Sequence, residues 1–246
     1  MREEHTIVSA APDLVSGVRR LVGACLREAL ATVDQPPRLD PPIPGGLLMT
    51  RMAARLAQGE AGPVLEQACA AAEMALLATT CHEGTPGAGG AVPSAAVLVG
   101  DVLLCQALDL IVGLAGGRYI LTFTAKVRET CSAAAEGQLL VASGPVDERT
   151  AVRVARGAGG SLFSFAAQVC DGKDPALSAA LEEAGYRVGT ACHLAGDPAA
   201  RHCLRREAMR QCSSALDCLA GWPSLRQQMA VFLAQDMAHL LDGAGR

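Results

Sequence analysis

The chain has 246 residues, a formal net charge of −4 and only 3% aromatic residues, yet half of it is hydrophobic. That length suits one large domain with a sizeable core. The acidic balance and the lack of basic runs interleaved with aromatics exclude nucleic acid as an expected partner.

The N-terminal stretch MREEHTIVSAAPDLV is charged and has no apolar core of the signal-peptide kind, so a cytoplasmic location is expected. Ala, Leu and Val dominate, and Ala and Leu are strong helix formers. Alternating β-branched strands are scarce, so the chain reads as all-α. Its Ala- and Gly-rich composition is what a GC-rich bacterial coding sequence produces. Residues 12–34 form the first expected helix, with apolar positions at Leu14, Val18, Leu21, Val22, Cys25, Leu26 and Leu30. QPPRLDPPIPGG, residues 35–46, is a Pro/Gly-rich connector. Residues 47–57 make a second helix. Gly62-Pro63 opens a third that runs to about Thr80. CHEGTPGAGGAVPSA, from Cys81, reads as a loop.

Ser94 can cap the next helix, which runs to about Leu114 before Gly116-Gly117 breaks it. The most apolar stretch, residues 91–114, is interrupted by Gly100-Asp101 and Asp109. No apolar run reaches the roughly 20 residues of a membrane span, so the mean hydropathy of +0.26 reads as a thick helical core. Residues 118–141 make a long helix ended by Ser143-Gly144-Pro145. Residues 147–156 start another, 161–170 are apolar, and DGKDP is a turn. Residues 175–192 and 201–220 are helical. Gly221-Trp222-Pro223 separates them from a last helix, capped by Ser224 and running to His239. The expectation is one domain over 1–246, its core at roughly 12–240, with about ten helices and short loops.

The ten cysteines sit mostly in Ala-rich helical patterns, where a free Cys behaves as a small hydrophobe. Without a signal peptide a disulfide framework is not expected. The one metal-like spacing, Cys192-His193 with His202-Cys203, is a weak zinc signal, because neighbours on a helix point about 100° apart.

The landmarks, in their order, resemble the trans-isoprenyl diphosphate synthase (polyprenyl synthetase) family over roughly residues 12–240. AAVLVGDVLLCQAL (Ala95 to Leu108) is similar to the family's Val-Leu-x-Gly-Asp helix. EGQLL (Glu136 to Leu140) is similar to its Gly-Gln pair. GSLFSFAAQVCDG (Gly160 to Gly172) is similar to its Leu-Phe helix. AGYRVGTACHLAGD (Ala184 to Asp197) falls where a second aspartate motif belongs. CSSALDCLAGWPSLRQQMAVFLAQDMAH (Cys212 to His239) is similar to the family's ending. The resemblance implies the isoprenoid synthase fold and, as the family usually is, a dimer.

It also implies a chemistry against which this chain can be checked. In the resembling enzymes isopentenyl diphosphate attacks an allylic cation. The departing diphosphate is neutralised by three Mg²⁺ ions between two aspartate-rich helices, and lysines and arginines grip the rest of its charge. Here His82 falls on the first motif's His, Glu83 on its first Asp and Gly84 on its second. In the second motif Cys192 falls on the Phe, His193 on the Gln, Gly196 on the first Asp, Asp197 on the second and Ala200 on the third. In GGLLMT, Gly46 stands for the Lys of the family's Gly-Lys-Arg-x-Arg-Pro, Leu47 and Met49 for its arginines and Thr50 for its Pro. Ala158 stands for the Lys of Lys-Thr-Ala.

The residual cavity candidates are His82, Glu83, Asp101, Gln138, His193 and Asp197. Gln138 is read as a buried hydrogen-bonding residue, Asp101 as the start of a helix beside the cavity, and Asp197 as the cap of a helix at Pro198 to Arg201. No catalytic or metal residue is assigned and no cofactor is expected. The resemblance then implies a non-catalytic homologue, a regulatory or structural partner of an active prenyl synthase, as a homodimer or a heterodimer with that synthase. Two alternatives stand beside it. One is an active prenyltransferase with an altered Mg²⁺ site. The other is a binding protein holding an isoprenoid in a cavity left unplugged by the small Ala78 and Thr79.

Overall fold

The computed structural model describes residues 11–33, 47–57, 62–83, 94–114, 117, 119–170, 174–196 and 202–241. Within them the chain is helical and contains no strand. In order the helices are α1 (Ala11–Ala31), α2 (Leu48–Leu56), α3 (Pro63–Glu83), α4 (Ser94–Val112), α5 (Ile120–Ser143) and α6 (Glu148–Ala155). A π-turn, Arg156–Gly160, leads without a break into α7 (Ser161–Val169). Then come α8 (Pro175–Gly196), α9 (His202–Cys218), α10 (Pro223–Gln235) and the short α11 (Ala238–Leu241).

α3 is the central rod. Thirteen of its 21 residues are buried, and from Ala68 to Ala72 no residue is exposed at all. A helix apolar on all sides belongs inside, and α1, α2, α4, α5 and α7 pack around it. One hydrophobic core runs from Leu14 in α1 to Met237 before α11. The few aromatics concentrate in it: Phe123 of α5 lies 5.2 Å from Phe165 of α7, ring centre to ring centre, and Tyr119 meets the edge of Phe165 at 6.4 Å.

α7 and the π-turn cross α8 with almost nothing between the backbones. A Cβ on Gly185 would fall 2.6 Å from the carbonyl oxygen of Phe163, and one on Gly159 would fall 2.5 Å from that of Gly189. A Cβ on Gly189 would strike the carbonyl of Gly159 in turn. Backbone cannot move aside as a side chain can, so only glycine fits this seam. The RGAGG sequence (Arg156 to Gly160), which reads as a gap between two helices, is the π-turn that carries one side of the seam. π-turns inside helices often mark functional positions.

Several helix ends fall elsewhere than the sequence pattern suggests. α3 continues through Cys81, His82 and Glu83, and α8 through Cys192 and His193 to Gly196. α10 begins at Pro223 with Trp222 before it, so Ser224 sits inside the first turn and is not its cap. Proline suits that first position because it has no N–H to leave unsatisfied. Asp147 does cap α6, accepting from the Thr150 N–H at 3.0 Å.

α4 also departs from expectation. By length and composition it is apolar enough to cross a membrane, with mean hydropathy 2.1, although only 33% of that stretch is buried. Its buried stripe, Ala96, Val99, Gly100, Leu103, Ala107 and Ile111, lies against α3. Asp101 and Asp109 are exposed.

Candidate functional site

His82 occupies the last turn of α3, and its Nε2 lies 3.1 Å from Oδ1 of Asp101 in the second turn of α4. Gly100 makes this approach possible: a Cβ there would sit 2.6 Å from the imidazole Nε2 and 3.0 Å from the carbonyl oxygen of Ala78. The small residues at Ala78 and Gly100 thus let α4 close onto α3. The imidazole is 33% exposed and the carboxylate 59%, so water screens the pair and it contributes little to stability. Glu83 ends the helix, exposed.

At the C-terminal end of α8 the polar cluster divides. The Cys192 thiol lies 3.7 Å from the Met237 sulfur. Burial, and then the nearby Cys212, push its pKa up, which favours the protonated, packed thiol. His193 is exposed, with its Cβ against Gly159. Asp197, Gly84 and Ala200 lie outside the described residues, as does the side chain of His202; Cys203 is half-buried. Among the described residues no three His, Cys, Asp or Glu side chains come together in a way that could hold a metal ion.

Gln138 corrects an expectation. It is exposed, not buried. The inward stripe of α5 is Phe123, Lys126, Thr130 and Ala134. Beyond Ala134, Gly137 packs near Val154, and Gln138 turns outward beside the exposed Leu139.

Two buried polar sites were missed. Glu73 is 4% exposed in the middle of α3, and its Oε1 accepts from the Thr50 N–H at 3.1 Å and the Thr50 hydroxyl at 3.0 Å. α2 needs this: its N-cap is Leu47, in the left-handed region at φ 64° and without a capping oxygen. Glu73 caps α2 from another helix. Burial pushes its carboxyl up to about 7, against the opposing pull of hydrogen bonds from Thr50 and Met49. The signal in sequence was a lone acid inside AAAEMALL.

The second site is Lys126, 8% exposed, whose Nζ donates to Glu182 at 2.5 Å and to the Tyr186 hydroxyl at 2.8 Å. Tyr186 donates to Glu129 at 2.6 Å, and its ring lies 4.3 Å from both Lys126 and Arg156. Burial works against the Lys126 charge, but Glu182 and Tyr186 outweigh it and hold its pKa above the usual lysine value. These bonds tie α5 and the π-turn to α8.

The fold has counterparts among solved structures. A decaprenyl diphosphate synthase from Rhodobacter capsulatus superposes with a TM-score of 0.67 at 19% identity, covering 93% of this chain and 99% of that one. The fold is that of the polyprenyl synthases. A geranyltranstransferase from Thermotoga maritima gives 0.66 at 14% identity, covering 97% and 99%. The heterotetrameric geranyl pyrophosphate synthase of mint gives 0.63 at 14% identity, covering 90% and 98%. No protein-family profile and no curated protein sequence matches the chain. On this polyprenyl synthase fold, α2, the end of α3 and the end of α8 carry the positions that the sequence resemblance assigns to phosphate and metal binding.

Proposed function

We propose that this chain is a non-catalytic homologue of the polyprenyl synthases and serves as a regulatory or structural partner subunit of an active isoprenyl diphosphate synthase. The observation that carries this reading is the placement of Leu47 and Met49. Prenyl transfer must neutralise a departing diphosphate, and cations supply much of that stabilisation. At the two positions that the resemblance gives to phosphate-gripping arginines, this chain has a leucine 1% exposed and a methionine 0% exposed. Both belong to the hydrophobic core. Thr50, in the proline position, is bonded to Glu73.

The donors at the helix ends point the same way. Mg²⁺ takes hard oxygen ligands in near-octahedral geometry. Asp101 is held by an imidazole nitrogen, and the described part of α8 closes on a half-buried thiol, a histidine and a glycine. This donor set does not suit magnesium, and no reaction step is derived through it. The mint synthase of the same fold is heterotetrameric, which supports a role in assembly for a chain that keeps the fold.

The test is mixing. The chain is co-expressed with an active prenyl synthase of its source, and both the rate and the product chain length are measured with and without it. Co-purification with a changed rate or chain length is the expected result. A chain that neither binds nor alters those synthases sinks the proposal.

A further inference from the structure

The outer face of α9 is basic, although the chain as a whole carries a net charge of −4. Arg205, Met209, Ser213 and Leu216 follow one another at intervals of four, four and three residues, which puts them on one side of the helix over about 16 Å. The first three are exposed, Leu216 is half-buried, and Arg206 stands exposed beside them. Met209, a large apolar side chain, is 61% exposed. Beyond the end of α9 this stripe runs into a groove of about 350 Å³, open to solvent. Leu216 and Ala220 form one wall; Pro223, Arg226, Gln227 and Ala230 of α10 form the other. The spacing of those four, i, i+3, i+4 and i+7, makes them one face of α10.

Charge and shape decide what covers it. Arg205, Arg206 and Arg226 are exposed and have no partner among the described residues, whereas Arg210 is satisfied by Glu207. Within the described part of α9 the one exposed acid is Asp217, about 100° round the helix from Leu216. Three unpaired guanidinium groups therefore border the stripe and groove against one carboxylate, and they call for an acidic occupant. Nucleic acid fits poorly: the groove walls are mainly apolar, where phosphates lose their water, and none of the lining residues is aromatic for a base to stack on. A bilayer fits poorly too. It wants apolar side chains that protrude, and here only Met209 stands out while Leu216, Ala220 and Ala230 are recessed between two helices. A helix lays its apolar ridge into such a groove, and carboxylates along its flanks reach the arginines in bidentate geometry.

We propose that the face formed by α9 and the start of α10 is a docking site for an acidic amphipathic helix of a partner protein. Apolar side chains of that helix fill the groove between Leu216, Ala220 and Ala230 and pack along Met209, while its carboxylates pair with Arg205, Arg206 and Arg226. This goes beyond the partner role proposed above and stands without it.

The experiment is fluorescence anisotropy on the full chain with synthetic helical peptides of about four turns, without any synthase present, so that its outcome does not bear on the proposed function. The probe carries leucines at i, i+4 and i+7 flanked by glutamates; a second peptide has every glutamate replaced by lysine. The acidic peptide is expected to bind and its lysine counterpart not to, and binding should weaken as salt rises from about 0.05 M to about 0.5 M. Arg205→Glu and Arg226→Glu should each raise the dissociation constant about tenfold or more, and Ala220→Trp, which fills the groove, should do the same. All three residues are exposed, so the fold is expected to survive, with far-ultraviolet circular dichroism as the check. Four results would overturn the proposal. The folded wild type could bind no acidic peptide, or bind the lysine peptide equally well. It could ignore the peptides and sediment with phosphatidylglycerol vesicles, which would assign the basic face to a membrane. Or it could bind the acidic peptide with an affinity that none of the three variants alters.

Discussion

Where α7 and the π-turn cross α8, glycine meets glycine and no side chain separates the backbones. Where α3 and α8 end, an imidazole–carboxylate pair, an exposed glutamate and an exposed histidine stand at the edge of water. Along the seam the atoms have fixed neighbours, so a change of one methyl group is transmitted to backbone. At the ends solvent takes up the difference. A chain can therefore replace the polar groups at its helix ends at small cost in stability, while its seam must stay as it is to fold.

The comparison breaks first at Gly189→Ala. The added Cβ meets the Gly159 carbonyl with no room to yield, and the cost should be about 3 kcal/mol or more. For a chain of this size that is a fall of roughly 6–12 °C in Tm. Gly196→Ala, at the end of the same helix, meets nothing within 4 Å and should stay within about 0.5 kcal/mol of wild type. Equal thermal shifts for the two would erase the distinction between seam and end.

Glu73 comes next. Its carboxyl is raised from 4.5 to about 7 in the folded chain. Below about pH 4.5 it is protonated folded or unfolded. Between there and about 7 the folded protein holds a proton that the unfolded chain has released, so stability falls as pH rises, and above 7 the full cost stands, up to about 3 kcal/mol. Glu73→Gln keeps an acceptor for Thr50 without the buried charge. Relative to wild type it should gain stability between pH 5 and pH 8, as read from urea denaturation midpoints. Parallel pH profiles for the two proteins would remove the buried charge from the explanation.

Lys126→Met should cost about 1–2 kcal/mol, because it strips a donor from Tyr186 and from Glu182, whose side chain is 34% exposed and can recover water. The smallest effect belongs to the helix end: His82→Ala should cost under about 1 kcal/mol, since the pair it breaks is screened. A melting shift for His82→Ala as large as that for Lys126→Met would mean that the ends are held as tightly as the bodies.

Much of the fold was legible because its signals are local. The Pro/Gly breaks at 35–46, 116–117 and 221–223 punctuate the sequence in the order in which the described helices follow one another. What was not legible depends on partners distant in sequence. CHE and CHLAG read as loop and helix stop, yet packing carries both helices through them, with Gly100 receiving His82 and Gly159 receiving His193. Glu73 acts on Thr50, 23 residues away, and Lys126 on Glu182, 56 away. Gln138 reads as buried through its place in the family-like Gly-Gln pair, but one residue of helix rotation separates the buried side from the open one. α4 reads as core because it is apolar; that most of it lies outside the core is a property of the assembled helices.

The most direct measurement is elongation by the folded chain alone. Purified protein, its helicity verified, is incubated with isopentenyl diphosphate, farnesyl diphosphate and Mg²⁺, and the products are separated by chain length. With core residues at Leu47 and Met49, and Arg51 and Arg55 of α2 paired with Asp236, no elongated prenyl diphosphate should form. Steady, Mg²⁺-dependent elongation would contradict a non-catalytic scaffold and would mean that other residues of this chain hold the diphosphate.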